Sequence, residues 1–268
     1  MNVEGPKRPL GATAALEVEN LLVEFDGLVA LNRVTLSVGR GEVVAVIGPN
    51  GSGKTTLINA ITGLVKPRSG EVALDGRGLL GDPPHRRRKA GLGRTYQHAE
   101  LVDEFSVFEN VLMGTIHGRR ASSLLREAIS TSTGRRRIGK ELVSAVESAL
   151  AEVGLQSIGS AIATDLPFGT KKLVDLARAT VSRPRFLLLD EPTAGIAESD
   201  YSSVQQSINR LSNEGVGMIV VAHHLNFVDQ VAHRVVCLST GSILATGTPQ
   251  EIRKNPKVID AYIGVGSQ

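Results

Sequence analysis

The chain has 268 residues, a formal net charge of +3 and a single cysteine. That length buries a large core, near the size at which one core divides into lobes, and so small a charge provides no field of the kind that marks a nucleic-acid binder. No apolar run approaches the about 20 residues that cross a bilayer, so any membrane role is expected to be peripheral, and Cys237 reads as a small buried core residue in a reducing compartment.

Residues 1–15, MNVEGPKRPLGATAA, are basic without an apolar stretch and read as a loose tail, not a secretory signal. Strand-like text follows at 16–25 and 34–38, then the apolar strand 43–47, which runs directly into GPNGSGKTT and a helix. A turn over 66–70 leads to a strand at 71–74. Between about 100 and 182 the texture becomes helical, with Leu142, Val146, Ala149 and Val153 at helical spacing. Alternation then returns: strand 186–189 ending in Asp190 and Glu191, helix 199–211 with Tyr201, Val204, Ile208 and Leu211 on one face, and strand 218–221 before His223. A strand pair at 235–238 and 243–245 meets across Gly241, and short helices over 249–254 and 256–263 follow. The expected fold is α/β: a phosphate-loop NTPase sheet core with an N-terminal β-rich part and an inserted helical subdomain at about 100–182. It forms a single domain over 16–264, with tails at 1–15 and 265–268.

The residues at the strand ends suit phosphate chemistry. Gly48, Gly51 and Gly53 let the backbone curl so that successive N–H groups face an anion, with Pro49, Asn50 and Ser52 between them. The helix that follows turns its positive end to the same place. Lys54 adds a charge there, and Thr55, next to Thr56, offers a hydroxyl to magnesium. Asp190 suits the magnesium shell and Glu191 the activation of water. His223 emerges from its strand where it can hydrogen-bond a terminal phosphate, whereas His224 reads as structural or solvated. Gln97 offers an amide to magnesium at the start of the helical lobe. Phe25 is either an aromatic platform for adenine or a buried strand-end residue.

At these residues the chain resembles an ATP-binding subunit of an ABC transporter. Gly48 to Thr55 match the Walker A motif of that family, Gln97 its Q-loop, Leu166 to Thr170 its signature region, 186–190 its Walker B with Glu191 after it, and His223 its switch histidine. GLGRTYQHAELVDEFSVFENVLMG and the ending ILATGTPQEIRKNPKVIDAYIG are similar to ATP-binding subunits of branched-chain amino acid importers, and lipopolysaccharide-export ATPases share much of that ending. The resemblance implies ATP and Mg2+ as cofactors and a head-to-tail pair of nucleotide-binding subunits, in which Pro167, Phe168, Gly169 and Thr170 of one face the ATP of the other. It further implies integral membrane permeases as partners, a solute-binding protein indirectly, no nucleic acid, and a peripheral place on the cytoplasmic face of the membrane. A soluble ABC-type ATPase acting on ribosomes or DNA is the rival class.

The chain departs from the family at two places. The usual Leu-Ser-Gly-Gly-Gln signature reads Leu166-Pro167-Phe168-Gly169-Thr170, and Ala197 stands where an Asp or Asn is usual. Pro167 suits the first turn of a helix and Gly169 keeps its backbone donor, but the serine that would reach the opposite ATP is gone, which leads to two expectations: an asymmetric heterodimer, or a homodimer with both sites weakened equally. Arg86 to Lys89 and Arg135 to Arg137 read as solvated faces, or else as contacts to anionic lipid. Glu100, Asp103, Glu104 and Glu109, mixed with Leu101, Val102, Phe105 and Val107, suit a docking surface for a partner helix.

Overall fold

The computed structural model describes residues 15–97, 99–115, 139–196 and 201–263. Residues 1–14, the tail 265–268, Ala197 and the run Arg135 to Arg137 lie outside them, and Ala15, expected in the tail, opens the first strand. The chain divides into two units, one formed by 1–82 with 217–268 and the other by 83–216.

The first unit holds two sheets. β1 (Ala15–Phe25) and β2 (Leu28–Gly39) form a hairpin, and β4 (Ser69–Leu74) and β5 (Arg77–Gly78) extend it in the order β2-β1-β4-β5. Asp26 and Gly27 turn the hairpin with φ of 47° and 87°, the pair of left-handed residues that a two-residue turn between right-twisted strands requires. β2 is much longer than the stretch 34–38 suggests, because its first half is paired through the turn to β1 and does not depend on apolar alternation.

The second sheet of this unit centres on β3 (Val43–Ile47), which lies parallel to both β8 (Gly217–Val221) and β9 (Arg234–Ser239). All residues of β3 and β8 are buried, the expected state of a parallel strand covered on both faces and the reason their sequences are continuously apolar. β10 (Ser242–Gly247) pairs antiparallel with β9 across Gly241. Around the sheet run α1 (Lys54–Thr62), α7 (Leu225–Val231), α8 (Pro249–Arg253) and α9 (Pro256–Ile263). α8 starts with a capping box between Thr248 and Glu251, and it packs on β9, β10 and α7.

The second unit holds a parallel pair, β6 (Leu92–Arg94) and β7 (Phe186–Asp190), and the helices α2 (Pro84–Lys89), α3 (Val107–Met113), α4 (Lys140–Glu152), α5 (Phe168–Thr180) and α6 (Tyr201–Asn213). α3, α4 and α5 pack on one another through Val111, Val146, Ala149 and Val174, all buried. Leu142, placed with Val146 and Ala149 by spacing alone, lies exposed one turn before the packed part of α4. Asn110 is fully buried, and its amide ties the preceding loop by accepting from Val102 N–H and donating to the carbonyls of Val102, Phe105 and Ser106.

Several expected surfaces are instead structural. Val107 is core and Glu109 closes a capping box with Ser106, so neither belongs to a docking face. Within the run Arg86 to Lys89, Arg87 is buried and Arg88 donates to the carbonyl of Gly114 at 2.5 Å, so α2 is partly an internal clasp. Burial and the nearby Arg178 charge lower the pKa of Arg88.

Candidate functional site

In the first unit, the exit of β3 leads into a glycine-rich loop. β3 ends at Ile47, and Gly48, Gly51 and Gly53 take φ of 148°, 76° and 102°, a backbone open to glycine and strained for other residues. Two of these glycines are also required by space. A Cβ on Gly48 would lie 2.1 Å from the Leu238 carbonyl oxygen, and one on Gly53 would lie 2.6 Å from that of Ala30. The loop is therefore wedged between the ends of β2 and β9, and Gly241 N–H donates to the Ser52 carbonyl at 3.1 Å. α1 begins at Lys54 without a side-chain cap, so its first turn points N–H groups into the loop.

Lys54, only 6 % exposed, threads back under the loop, its Nζ donating to the carbonyls of Gly48 at 2.8 Å and Pro49 at 2.9 Å. Ser52 is buried and its Oγ finds no protein partner, while Thr55 and Asn50 are exposed at the loop's open side. A buried hydroxyl that nothing in the protein satisfies, beside the uncapped first turn of α1 and the Lys54 ammonium, is a donor set for an anion.

Two further predicted residues belong to this unit. Val221 pairs with Val46, so His223 leaves β8 at the same rim at which β3 gives way to the loop. It is half-buried, whereas His224 is the N-terminal cap residue of α7. Phe25 is 45 % exposed at the hairpin turn, with Leu28 and Val29 of the facing strand exposed beside it. The buried alternative for Phe25 is thereby excluded. Ala30, against which Gly53 abuts, follows directly in β2, so the aromatic face and the loop share one strand.

In the second unit, β7 delivers Asp190 and Glu191. Arg94 of β6 donates to Asp190 Oδ2 at 3.2 Å, and the other oxygen, Oδ1, is buried with no partner. Burial raises the pKa of Asp190; the Arg94 charge opposes this and the Glu191 charge adds to it. Glu191 takes φ of 50°, costly for a non-glycine residue. Its Oε2 accepts from Gln97 Nε2 at 3.1 Å, so two of the predicted site residues meet directly.

The signature segment also differs from expectation in detail. Pro167 is extended (φ −55°, ψ 150°) and stands as the N-terminal cap residue of α5, one place before the first turn, which starts at Phe168. Gly169 and Thr170 lie in that first turn, with no side chain capping it. A Cβ on Gly195 (φ 75°) would come within 2.6 Å of the Phe168 ring, so the loop after Glu191 rests on the signature.

Sequence reasoning missed what joins these parts. Asp175 accepts Tyr96 N–H at 3.1 Å, Lys172 Nζ donates to the carbonyl of Gln97, and Arg178 donates to that of Glu100 at 2.5 Å. Lys172, Asp175 and Arg178 recur every third residue of α5, a charged stripe on one helix face that was the available signal. Burial lowers the pKa of Lys172, with Asp175, Asp190 and Glu191 opposing.

Residues 31–194 match the ABC transporter family, and residues 242–267 match the family described as branched-chain amino acid ATP-binding cassette transporter. The chain belongs to the ABC transporter family. It is 36 % identical over 250 residues to the high-affinity branched-chain amino acid transport ATP-binding protein BraF of Pseudomonas aeruginosa, covering 93 % of this chain and 97 % of the relative. Identity to the lipopolysaccharide export system ATP-binding protein LptB of Haemophilus influenzae is 31 % over 249 residues, again 93 % of this chain and 97 % of the relative. The crystal structure of the ADP conformation of MJ1267, an ATP-binding cassette of an ABC transporter, superposes with a TM-score of 0.83 at 30 % identity, covering 94 % of this chain and 100 % of that one. As an ABC ATPase the chain binds ATP and hydrolyses it to power transport. Among the described residues, no helix of this ATPase is long and apolar enough to cross a membrane.

Proposed function

We propose that this ABC ATPase powers uptake of branched-chain amino acids or related small polar solutes, bound peripherally to permease subunits at the cytoplasmic face of the membrane. The observation that carries the reading is the 36 % identity to BraF over nearly the whole of both chains. The match of residues 242–267 to the branched-chain family supports it independently.

In this reading the loop 48–56, with the start of α1 and Lys54, binds the phosphates, Phe25 stacks on the adenine, and His223 hydrogen-bonds the terminal phosphate. Glu191 orients and deprotonates the attacking water, and Gln97, whose amide donates to Glu191, orients that carboxylate. Each residue by its own chemistry suits a magnesium ion: the buried Asp190 Oδ1 has no protein partner, and Thr55 is exposed at the loop. Magnesium would neutralise charge on the β- and γ-phosphate oxygens. Pro167, Phe168, Gly169 and Thr170 present the start of α5 to the ATP of a second ATP-binding subunit. Without the signature serine, that contact loses a charge-assisted hydrogen bond of about 1.5–3 kcal/mol, which favours pairing with a non-identical subunit.

The test is capture from solubilised native membranes with tagged Glu191→Gln protein and ATP. Recovery of a permease with a second ATP-binding subunit, whose companion binding protein takes branched-chain amino acids, is the expected result. Recovery with an exporter's permease would favour the lipopolysaccharide-type reading, and recovery of ribosomes or nucleic acid alone would sink both.

A further inference from the structure

Gly48, the first residue of the phosphate loop, is held on three sides. Its Cα faces the Leu238 carbonyl so closely that no side chain fits, its carbonyl accepts from Lys54 Nζ at 2.8 Å, and its N–H donates at 2.8 Å to the hydroxyl of Tyr262. Lys54 belongs to the phosphate-loop motif itself, but Tyr262 does not. It comes from the last turn of α9, 214 residues along the chain.

The C-terminal segment reaches the loop through a chain of fixed contacts. α8 is fastened by its capping box and by buried Ile252. The Asn255 side chain then accepts Lys257 N–H at 3.0 Å at the start of α9, buried Val258 seats that helix, and α9 packs on β10 and α8. Burial also raises the pKa of the Tyr262 phenol above its ordinary 10.0, so the group is neutral at working pH. Tyr262 lies outside residues 31–194, which carry the general family match, and inside the C-terminal match at 242–267.

We propose that Tyr262 is a positioning residue for nucleotide binding: its hydroxyl fixes Gly48, and with it the phosphate loop, in the binding-competent curl, so the docked C-terminal segment sets the affinity for nucleotide. This rests on the reading of 48–56 as the ATP-binding loop. The bond made by Tyr262 N-terminal to Gly48 Cα and the bond made by Lys54 on the other side restrain both backbone torsions of that glycine. Glycine loses more conformational freedom on ordering than any other residue, so an external restraint is worth most there. Removing one restraint lets the loop visit conformations that do not bind, and apparent affinity falls by the fraction that remains competent.

The test is Tyr262→Phe in the full chain, which keeps the ring and removes only the hydroxyl. Dissociation constants for ATP and ADP, the KM and kcat of ATP hydrolysis, and the melting temperature without nucleotide are compared with the wild type. We expect both nucleotides to bind about five- to tenfold more weakly, since the loop grips the phosphates they share, with KM rising in step and kcat within about twofold. Tyr262→Ala should show the same affinity loss plus a lower melting temperature. Wild-type affinity in Tyr262→Phe, with Tyr262→Ala lowering only the melting temperature, would reduce the residue to packing and overturn the proposal. A wild-type chain that binds neither nucleotide would overturn the ATPase reading and this one together.

Discussion

Asp175, in the middle of α5, accepts the backbone N–H of Tyr96 at 3.1 Å, so the helix that carries the signature holds the chain immediately before Gln97. Its other oxygen pairs with Arg178 at 2.5 Å, and Arg178 reaches on to the carbonyl of Glu100. The loop that bears Gln97 is thus gripped on both flanks by one helix face. A displacement of α5 must move Gln97, and Gln97 is bonded to Glu191.

Asp175→Ala should cost about 1–3 kcal/mol, because it strands the Tyr96 N–H and leaves Arg178 without its carboxylate. Asp175→Asn keeps one acceptor for Tyr96 and cannot ionise, which gives it a separate signature. Burial raises the wild-type carboxyl above 3.8, against the Arg178 charge and the Tyr96 N–H that lower it. Above pH 3.8 the folded chain therefore holds this proton more tightly than the unfolded chain does. The stability it contributes is fully present below that pH and is lost as pH rises through the folded value. Urea midpoints across that acid range should show a shallower fall with rising pH in Asp175→Asn than in wild type. Parallel curves would mean that Asp175 does not titrate in this way.

The glycines of the loop should differ sharply among themselves. Gly48→Ala forces a methyl to 2.1 Å from a backbone oxygen of β9, which cannot retreat, and should abolish ATP binding. Gly51 also has positive φ, at 76°, but a Cβ there meets nothing within 4 Å. Gly51→Ala carries only the left-handed penalty of about 1–2 kcal/mol and should keep measurable ATP binding. Titration with a fluorescent ATP analogue separates the two; equal losses would contradict the steric account.

What the sequence disclosed and what it hid follow from the range of the interactions. β3, β7 and β8 are visible because strands buried on both faces read as apolar runs, broken in β7 only by its last residue, Asp190. The phosphate loop is visible because its chemistry is local: glycines, lysine and hydroxyl within nine residues, after a strand and before a helix. β6 escapes because three residues carry no period, and α2 because PHRRRK shows no apolar face. Arg94 meeting Asp190, Asp175 meeting Tyr96 and Tyr262 meeting Gly48 are separated by 96, 79 and 214 positions, and only topology brings such pairs together. Pro167 shows a subtler limit: composition placed it at the helix start, but whether it caps or opens the first turn depends on a torsion the sequence does not state.

Cys237 should be inert in the folded chain. It is fully buried in β9, and burial pushes its thiol up to about 11, partly offset by the Lys54 charge. At pH 8 the thiolate fraction is then on the order of one in a thousand, against about a quarter for an exposed thiol. Alkylation by iodoacetamide should be at least about a hundredfold slower in buffer than in strong denaturant, as read by mass spectrometry. Rapid labelling of the folded protein would show that the end of β9 opens.

The pair of Arg94 with Asp190 should behave as a coupled unit. Their side chains are 10 % and 2 % exposed, and Asp190 already has one oxygen without a protein partner. Arg94→Met would leave the buried carboxylate without its ion-pair partner, with the Lys172 charge still acting on it, at a cost of about 3 kcal/mol. Asp190→Asn removes the charge that makes that loss expensive, so adding Arg94→Met to Asp190→Asn should cost much less. A double-mutant cycle on urea midpoints should return a coupling of about 2 kcal/mol or more, the size expected for groups in direct contact and above the about 0.3–0.5 kcal/mol scatter of independent sites. Additive losses would mean that the 3.2 Å contact carries no net energy and that Asp190 is held in place by its strand alone.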